Sequence, residues 1–219
     1  CNSNDEVRQM RKNLVGIIVL IALSTFMLAG CNSSKPSPSD VENSAGTQEK
    51  KDELVLAFDS EPETGFDPTT GWGRYGSPLF QSTLLKRDDK LNIVNDLATN
   101  YEVNTDGKVW TVKLRKDVKF SDGQPLTAED VVFTYETARN NGSVVDLNSM
   151  SKVEAVDDYT VRFTLKEPQS TFVNTIIGTG IVPQHAYGKD YAENPIGSGP
   201  YQLVQWDKGQ QVIINANPE

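Results

Sequence analysis

The uncharged, largely apolar run from Leu14 to Leu28 most constrains what this chain can fold into, because it removes the first part of the sequence from any globular core. It follows Met10-Arg11-Lys12 and gives way to the small residues Ala29 and Gly30. A positive start, an apolar segment shorter than the roughly 20 residues of a comfortable membrane span, and small residues behind it make a secretory signal. Residues 1–9 are polar and lack an initiator methionine, which places the natural start at Met10. Residues 1–30 are therefore expected to be a leader. An uncleaved signal anchor would leave the same domain outside the membrane.

The run ends in Leu28-Ala29-Gly30-Cys31, which resembles the bacterial lipobox. That resemblance implies a diacylglycerol thioether and palmitate-type acylation on Cys31, cleavage just before it, and attachment to the extracytoplasmic face of the cell membrane. Residues 32–52 are Ser, Pro, Asn and charged residues with almost nothing apolar to bury. Residues 31–52 read as a lipid-anchored flexible tether.

The remaining residues must supply the fold, and the 37% hydrophobic content of the chain is enough for a real core. The net charge of −9 argues against nucleic acid as a partner, since phosphate binding needs surplus Lys and Arg. Both cysteines, Cys1 and Cys31, precede the folded part, and His185 is the single histidine, so neither a disulfide framework nor a multi-His or Cys-based metal site is indicated.

Leu54-Val55-Leu56-Ala57-Phe58 suits a buried strand, and Ser60 to Pro78, rich in Gly, Pro and Thr, an irregular loop. Tyr101–Val103, Asn104-Thr105-Asp106-Gly107 and Val109–Leu114 form an expected hairpin with Trp110, Val112 and Leu114 on one face. A second runs from Val153–Val156 through Asp157-Asp158 into Tyr159, Val161, Phe163 and Leu165, alternating with polar residues. Between them, Thr127 is placed as the N-cap of a helix with Glu129 and Asp130 in its first turn and Val131, Val132, Tyr135 and Ala138 on one face. Asn140-Asn141-Gly142 stops it, and a weaker helix spans Ser170 to Ile177.

No catalytic constellation emerges. Asp88-Asp89 and Asp157-Asp158 are turn acids, and no serine has a nucleophile-elbow setting. Gly197-Ser198-Gly199 is not a phosphate loop, because Pro200 and the strand-like Tyr201–Val204 follow it. Neither an enzyme nor a cofactor is indicated.

The stretch from Lys108 to Val131, containing Lys119-Phe120-Ser121-Asp122-Gly123-Gln124-Pro125-Leu126-Thr127-Ala128-Glu129-Asp130, resembles the signature of the family 5 extracellular solute-binding proteins. Ile181-Val182-Pro183-Gln184-His185 and Pro195-Ile196-Gly197-Ser198-Gly199-Pro200-Tyr201, with Trp206 beyond, agree in order and spacing. Trp110, Phe120 and Val131 read as core, and Asp122-Gly123 as a turn. The resemblance implies a periplasmic-binding-protein-like α+β or α/β fold (class II, cluster C). Residues 53–81 and 196–219 would form the core part of lobe I, 82–195 an inserted α+β subdomain, and a second lobe, absent from this sequence, would follow. It further implies a substrate-binding lipoprotein that captures peptides, or nickel and other metal chelates, and delivers them to an ABC permease. A surface lipoprotein enzyme acting on cell-wall material and a non-transporting remnant are the alternatives. Trp72, Arg74 and Tyr75 lie among Gly71, Gly73 and Gly76, which leave them little local core. They either pack against the adjoining subdomain or line a ligand cleft, and the resemblance favours the cleft.

The lipobox reading predicts that Cys31→Ser abolishes both incorporation of a fatty-acid probe and membrane association. Persistence of both in the variant contradicts it.

Overall fold

Apolar and polar residues alternate over Val109–Leu114 and Thr160–Leu165, so each segment buries one face when extended, and the fold is built around these two strands. The computed structural model describes residues 61–76, 78–142 and 144–218. The expected leader, Cys31, the tether and the Leu54–Phe58 strand lie outside the described residues.

In chain order the strands are β1 (Leu85–Arg87), β2 (Ile93–Asn95), β3 (Ala98–Val103), β4 (Val109–Leu114), β5 (Met150–Asp157), β6 (Thr160–Leu165), β7 (Tyr201–Asp207) and β8 (Gln211–Ala216). The helices are α1 (Ala128–Asn140) and α2 (Phe172–Gly178), with 3-10 turns at Pro68–Thr70 and Gln184–Ala186. Four strands make an antiparallel sheet in the order β3-β4-β6-β5, in which Trp110 faces Phe163 and Val112 faces Val161. Both expected hairpins are present, and they meet edge to edge through β4 and β6.

One sheet face, carrying Trp110, Val112, Leu114, Val161, Phe163 and Leu165, is buried. Helix α1 covers it with Val131, Tyr135 and Ala138, all fully buried. Edge-on aromatic contacts run from Tyr135 to Phe163 at 4.8 Å, Phe163 to Phe172 at 5.6 Å and Phe172 to Trp110 at 5.7 Å. Burial of each such side chain stabilises by roughly 1.5–3 kcal/mol, so this row fixes how both helices sit on the sheet. Burial also pushes the Tyr135 hydroxyl well above the ordinary tyrosine range. Phe120 is fully buried in the same core, as expected.

The start of α1 does more than end a loop. Asp130 Oδ2 accepts the Thr127 backbone N–H at 2.9 Å and the Thr127 hydroxyl at 3.1 Å, so the cap is closed by the acid reaching back. Asp130 Oδ1 also accepts Gln184 N–H at 3.0 Å, and the Thr134 hydroxyl accepts Val182 N–H at 3.0 Å. One face of α1 thus holds the Ile181–Gln184 segment by its backbone. His185, next along, pairs its Nε2 with Asp122 Oδ2 at 2.6 Å and pins the Asp122-Gly123 turn. Burial raises the Asp122 carboxyl, but the hydrogen bonds from His185 and Gln124 N–H outweigh it and leave the group below its usual range.

Two elements depart from the sequence expectation. The weaker helix is Phe172–Gly178, starting later than Ser170, because Phe172 N–H bonds to Gln169 C=O and Asn174 N–H to Thr171 C=O in the preceding turns. The β1–β2 hairpin was not foreseen. Its strands are three residues each, and its loop is closed by Asp88, which accepts Lys90 N–H, Asn92 N–H and the Asn92 amide.

The Gly197-Ser198-Gly199 stretch crosses the early chain at close range. Gly199 N–H bonds to Phe80 C=O at 2.8 Å, Tyr201 N–H to Leu79 C=O at 3.2 Å, and the Ser82 hydroxyl to Ser198 C=O at 2.9 Å. A Cβ on Gly197 would lie 1.9 Å from the Phe80 carbonyl oxygen, and one on Gly199 2.6 Å from the Phe80 carbonyl carbon. Only glycine permits that approach.

Two outcomes follow in denaturant melts. Gly197→Ala should destabilise by about 3 kcal/mol or more, whereas Gly188→Ala, with open space at its Cβ position, should stay within about 0.5 kcal/mol. Because the Asp122 carboxyl is depressed in the folded state, its contribution is present above the ordinary carboxylate range and lost as pH falls through the folded value. The stability gap between the native chain and Asp122→Asn should therefore shrink between about pH 5 and pH 2.

Candidate functional site

Phe66 holds the loop that carries the candidate residues. Its ring is buried and meets Trp72 edge-on at 4.9 Å, Phe80 edge-on at 5.1 Å and Trp206 at 4.8 Å. Asp67, also buried, then turns the chain: Oδ1 accepts Thr69 N–H at 2.8 Å, and its carbonyl accepts the N–H groups of Thr70 and Trp72. Its Oδ2 accepts the Tyr187 hydroxyl at 2.7 Å. Tyr187 also lies 2.8 Å from the Thr69 hydroxyl, which in turn accepts the Asn141 amide at 3.1 Å. The loop is thereby tied both to the end of α1 and to the segment after His185. Burial, opposed by the Thr69 contact and reinforced by the Asp67 charge, raises the Tyr187 hydroxyl above its ordinary value, so it stays protonated and donating at neutral pH.

On this base the three residues singled out from the sequence separate. Trp72 is half-buried and belongs to the aromatic cluster around Phe66. Arg74 and Tyr75 project outward. Tyr75 is 90% exposed, and the Arg74 guanidinium lies 4.4 Å from its ring centre. The base of the loop is therefore packed through Trp72, while its tip, Arg74 and Tyr75, is open.

Arg74 and Tyr75 form one wall of a cavity of about 240 Å³. Opposite stand Val144, Val145 and Asp146, from the loop after α1, and Asn174 and Thr175 from α2. The walls meet at two glycines. A Cβ on Gly71 would lie 2.2 Å from Val144 Cγ2, and one on Gly178 3.0 Å from the Arg74 carbonyl oxygen. With φ of 108° at Gly71, the turn needs glycine on both counts. The volume lies below the roughly 300–1,000 Å³ of a complete small-molecule site, which suits one part of a ligand.

Sequence reasoning missed Val144, Asp146 and Asn174, because nothing local ties these loop and helix residues to position 74. It also missed Asp67 and Tyr187, which place the loop without touching the cavity. The Gly71 and Gly178 positions were the available signal. Among the described residues no cluster of three or more His, Cys, Asp or Glu could hold a metal ion, and no helix is long and apolar enough to cross a membrane.

A family model described as bacterial extracellular solute-binding proteins, family 5 Middle, matches residues 92–219. The oligopeptide-binding protein AppA of Bacillus subtilis is 33% identical over 97% of this chain and 42% of its own length. Among solved structures, NikZ from Campylobacter jejuni in complex with Ni(L-His) is similar at TM-score 0.71 and 31% identity, over 76% of this chain and 36% of that one. The Bacillus subtilis AppA structure in complex with a nonapeptide gives TM-score 0.57 and 36% identity, over 64% and 31%. The chain spans about two fifths of the length of the curated relative.

Replacing Tyr187 by Phe leaves a buried Asp67 oxygen without its donor and should cost about 1–3 kcal/mol in a thermal melt. Tyr75→Ala removes an exposed ring and should change stability by less than about 0.5 kcal/mol. Comparable losses in both variants would mean that the loop tip is part of the packing.

Proposed function

The chain belongs to the bacterial extracellular solute-binding proteins of family 5, whose members bind solutes for transport and are not enzymes, and from that premise we propose that it acts as the ligand-contacting first lobe of an ABC importer's binding protein. Its mixed α and β architecture is that of a periplasmic binding protein, and it corresponds to part of the larger solved relatives. On this reading the protein is held to the outer face of the cell membrane by a lipid on Cys31. It captures a peptide, or a nickel or other metal chelate, and hands it to the membrane permease.

The observation that carries the reading is the tip of the 71–76 loop. A tyrosine ring that is 90% exposed, on a turn whose base is locked by Phe66 and Asp67, offers an open aromatic face on a fixed support. Tyrosine gives broad contact at small entropic loss, and binding residues concentrate on loops fixed by a rigid scaffold. The cavity beside it takes one end of a ligand, and the remaining surface of that ligand would be covered by a facing lobe.

Calorimetry on residues 31–219 with a mixed peptide pool and with a nickel–histidine chelate tests the proposal. Saturable binding weaker than about 10 μM is expected from one class of probe, because a single lobe buries only one side of the ligand. Loss of that binding in Tyr75→Ala, with melting unchanged, would place the contact at the loop. No saturable binding of either probe class at millimolar concentration would sink the proposal and favour a non-transporting remnant.

A further inference from the structure

Arg74 stands apart from the other arginines that the structure describes. Arg87 donates to the Leu91 carbonyl and to Asn174, Arg115 pairs with Asp117, Arg139 with Glu136, and Arg162 with Glu154. The Arg74 guanidinium has no hydrogen-bond acceptor and no carboxylate partner among the described residues. It is held instead by the face of Tyr75 at the cavity mouth. In a chain of net charge −9, carboxylates are plentiful, so an arginine without one at the edge of a cavity is a notable exception. Contact with an aromatic face uses none of the guanidinium's N–H donors, so they are left to meet two carboxylate oxygens.

A second donor faces the same space. Asn174 accepts Arg87 on Oδ1 at 3.1 Å, which settles the orientation of its amide and leaves Nδ2 with no partner among the described residues. The acid on the opposite wall, Asp146, has one oxygen occupied by Asn148 N–H at 3.1 Å. The apolar part of the cavity is supplied by Val144, 59% exposed, and by the Tyr75 ring. A charged fork, an amide donor and an apolar wall together suit a carboxylate with a side chain next to it.

Resting on the proposed solute-binding role, we infer that this cavity takes a ligand's carboxylate: Arg74 holds it in a two-point hydrogen bond, Asn174 supports it, and Val144 and Tyr75 cover the adjacent apolar group. The carboxylate is either the terminus of a peptide or that of an amino acid chelating a metal.

The test uses isotope-labelled chain 31–219 and follows the Arg74 side-chain Nε–H and the backbone N–H groups of 71–76 by nuclear magnetic resonance. The probes are N-acetyl-leucine and N-acetyl-leucinamide, which differ only in the charged group. The acid should shift Arg74 Nε–H and bind about tenfold or more tightly than the amide. Arg74→Gln should erase that preference, leaving acid and amide with affinities within about twofold of each other, and Arg74→Lys should restore only part of it. Equal binding of acid and amide to the native chain, or a preference for the acid that survives Arg74→Gln, overturns the inference. Saturable calorimetric binding of peptides with Arg74 Nε–H unmoved by the acid also overturns it, and leaves the solute-binding role standing. An acid-dependent shift at Arg74 without peptide or chelate binding supports this site chemistry and counts against the wider role.

Discussion

Everything that positions the candidate site depends on the backbone crossing between Leu79–Ser82 and Gly197–Tyr201. Two main-chain hydrogen bonds and the Ser82 hydroxyl join segments more than a hundred residues apart, and the approach is so close that neither Gly197 nor Gly199 can carry a side chain. Closing so long a loop is entropically unfavourable, so the contact must be both dense and specific. It brings the start of β7 beside Leu79 and Phe80, and Trp206, near the end of that strand, meets the Phe66 ring, which also meets Phe80. That aromatic cluster then becomes the base on which the 71–76 loop stands.

Polar clasps complete the arrangement. Asp130 and Thr134 hold the backbone of residues 182–184 on α1, and Asp67, Tyr187, Thr69 and Asn141 tie the loop to the end of the same helix. The carboxylate oxygens of Asp67 and Asp130 are each matched by a donor, so the clasps specify geometry where apolar packing alone would allow sliding. The loop tip is therefore presented by a braced base. A site of this kind loses little entropy when it meets a ligand.

Much of the fold was legible in the sequence. Strict alternation in β4 and β6 and the run Thr127–Asp130 revealed both hairpins and α1, because each signal is local and repeats at the period of its element. The β1–β2 hairpin was hidden, since three-residue strands offer no full period and Asp88 closes the loop by side-chain bonds that resemble ordinary turn polarity. The glycines at 197 and 199 were visible, but the reason for them lies in a backbone far away in the chain. Trp72, Arg74 and Tyr75 stood out as large residues among glycines, yet only the structure separates Trp72, which packs on Phe66, from the pair that faces outward. Val144 and Asn174 carry no local mark of belonging with them.

The central claim is that the open tip of the 71–76 loop, with its cavity, is where this lobe meets its solute. Hydrogen exchange read by mass spectrometry, with and without a saturating peptide pool, tests it most directly, since it locates the protected backbone without altering any residue. Slowed exchange in residues 71–76, 144–146 and 174–179, with the β3–β6 sheet unchanged, is the predicted result. Protection confined to the β7–β8 hairpin or to the outer sheet face, with the 71–76 loop unaffected, would contradict it.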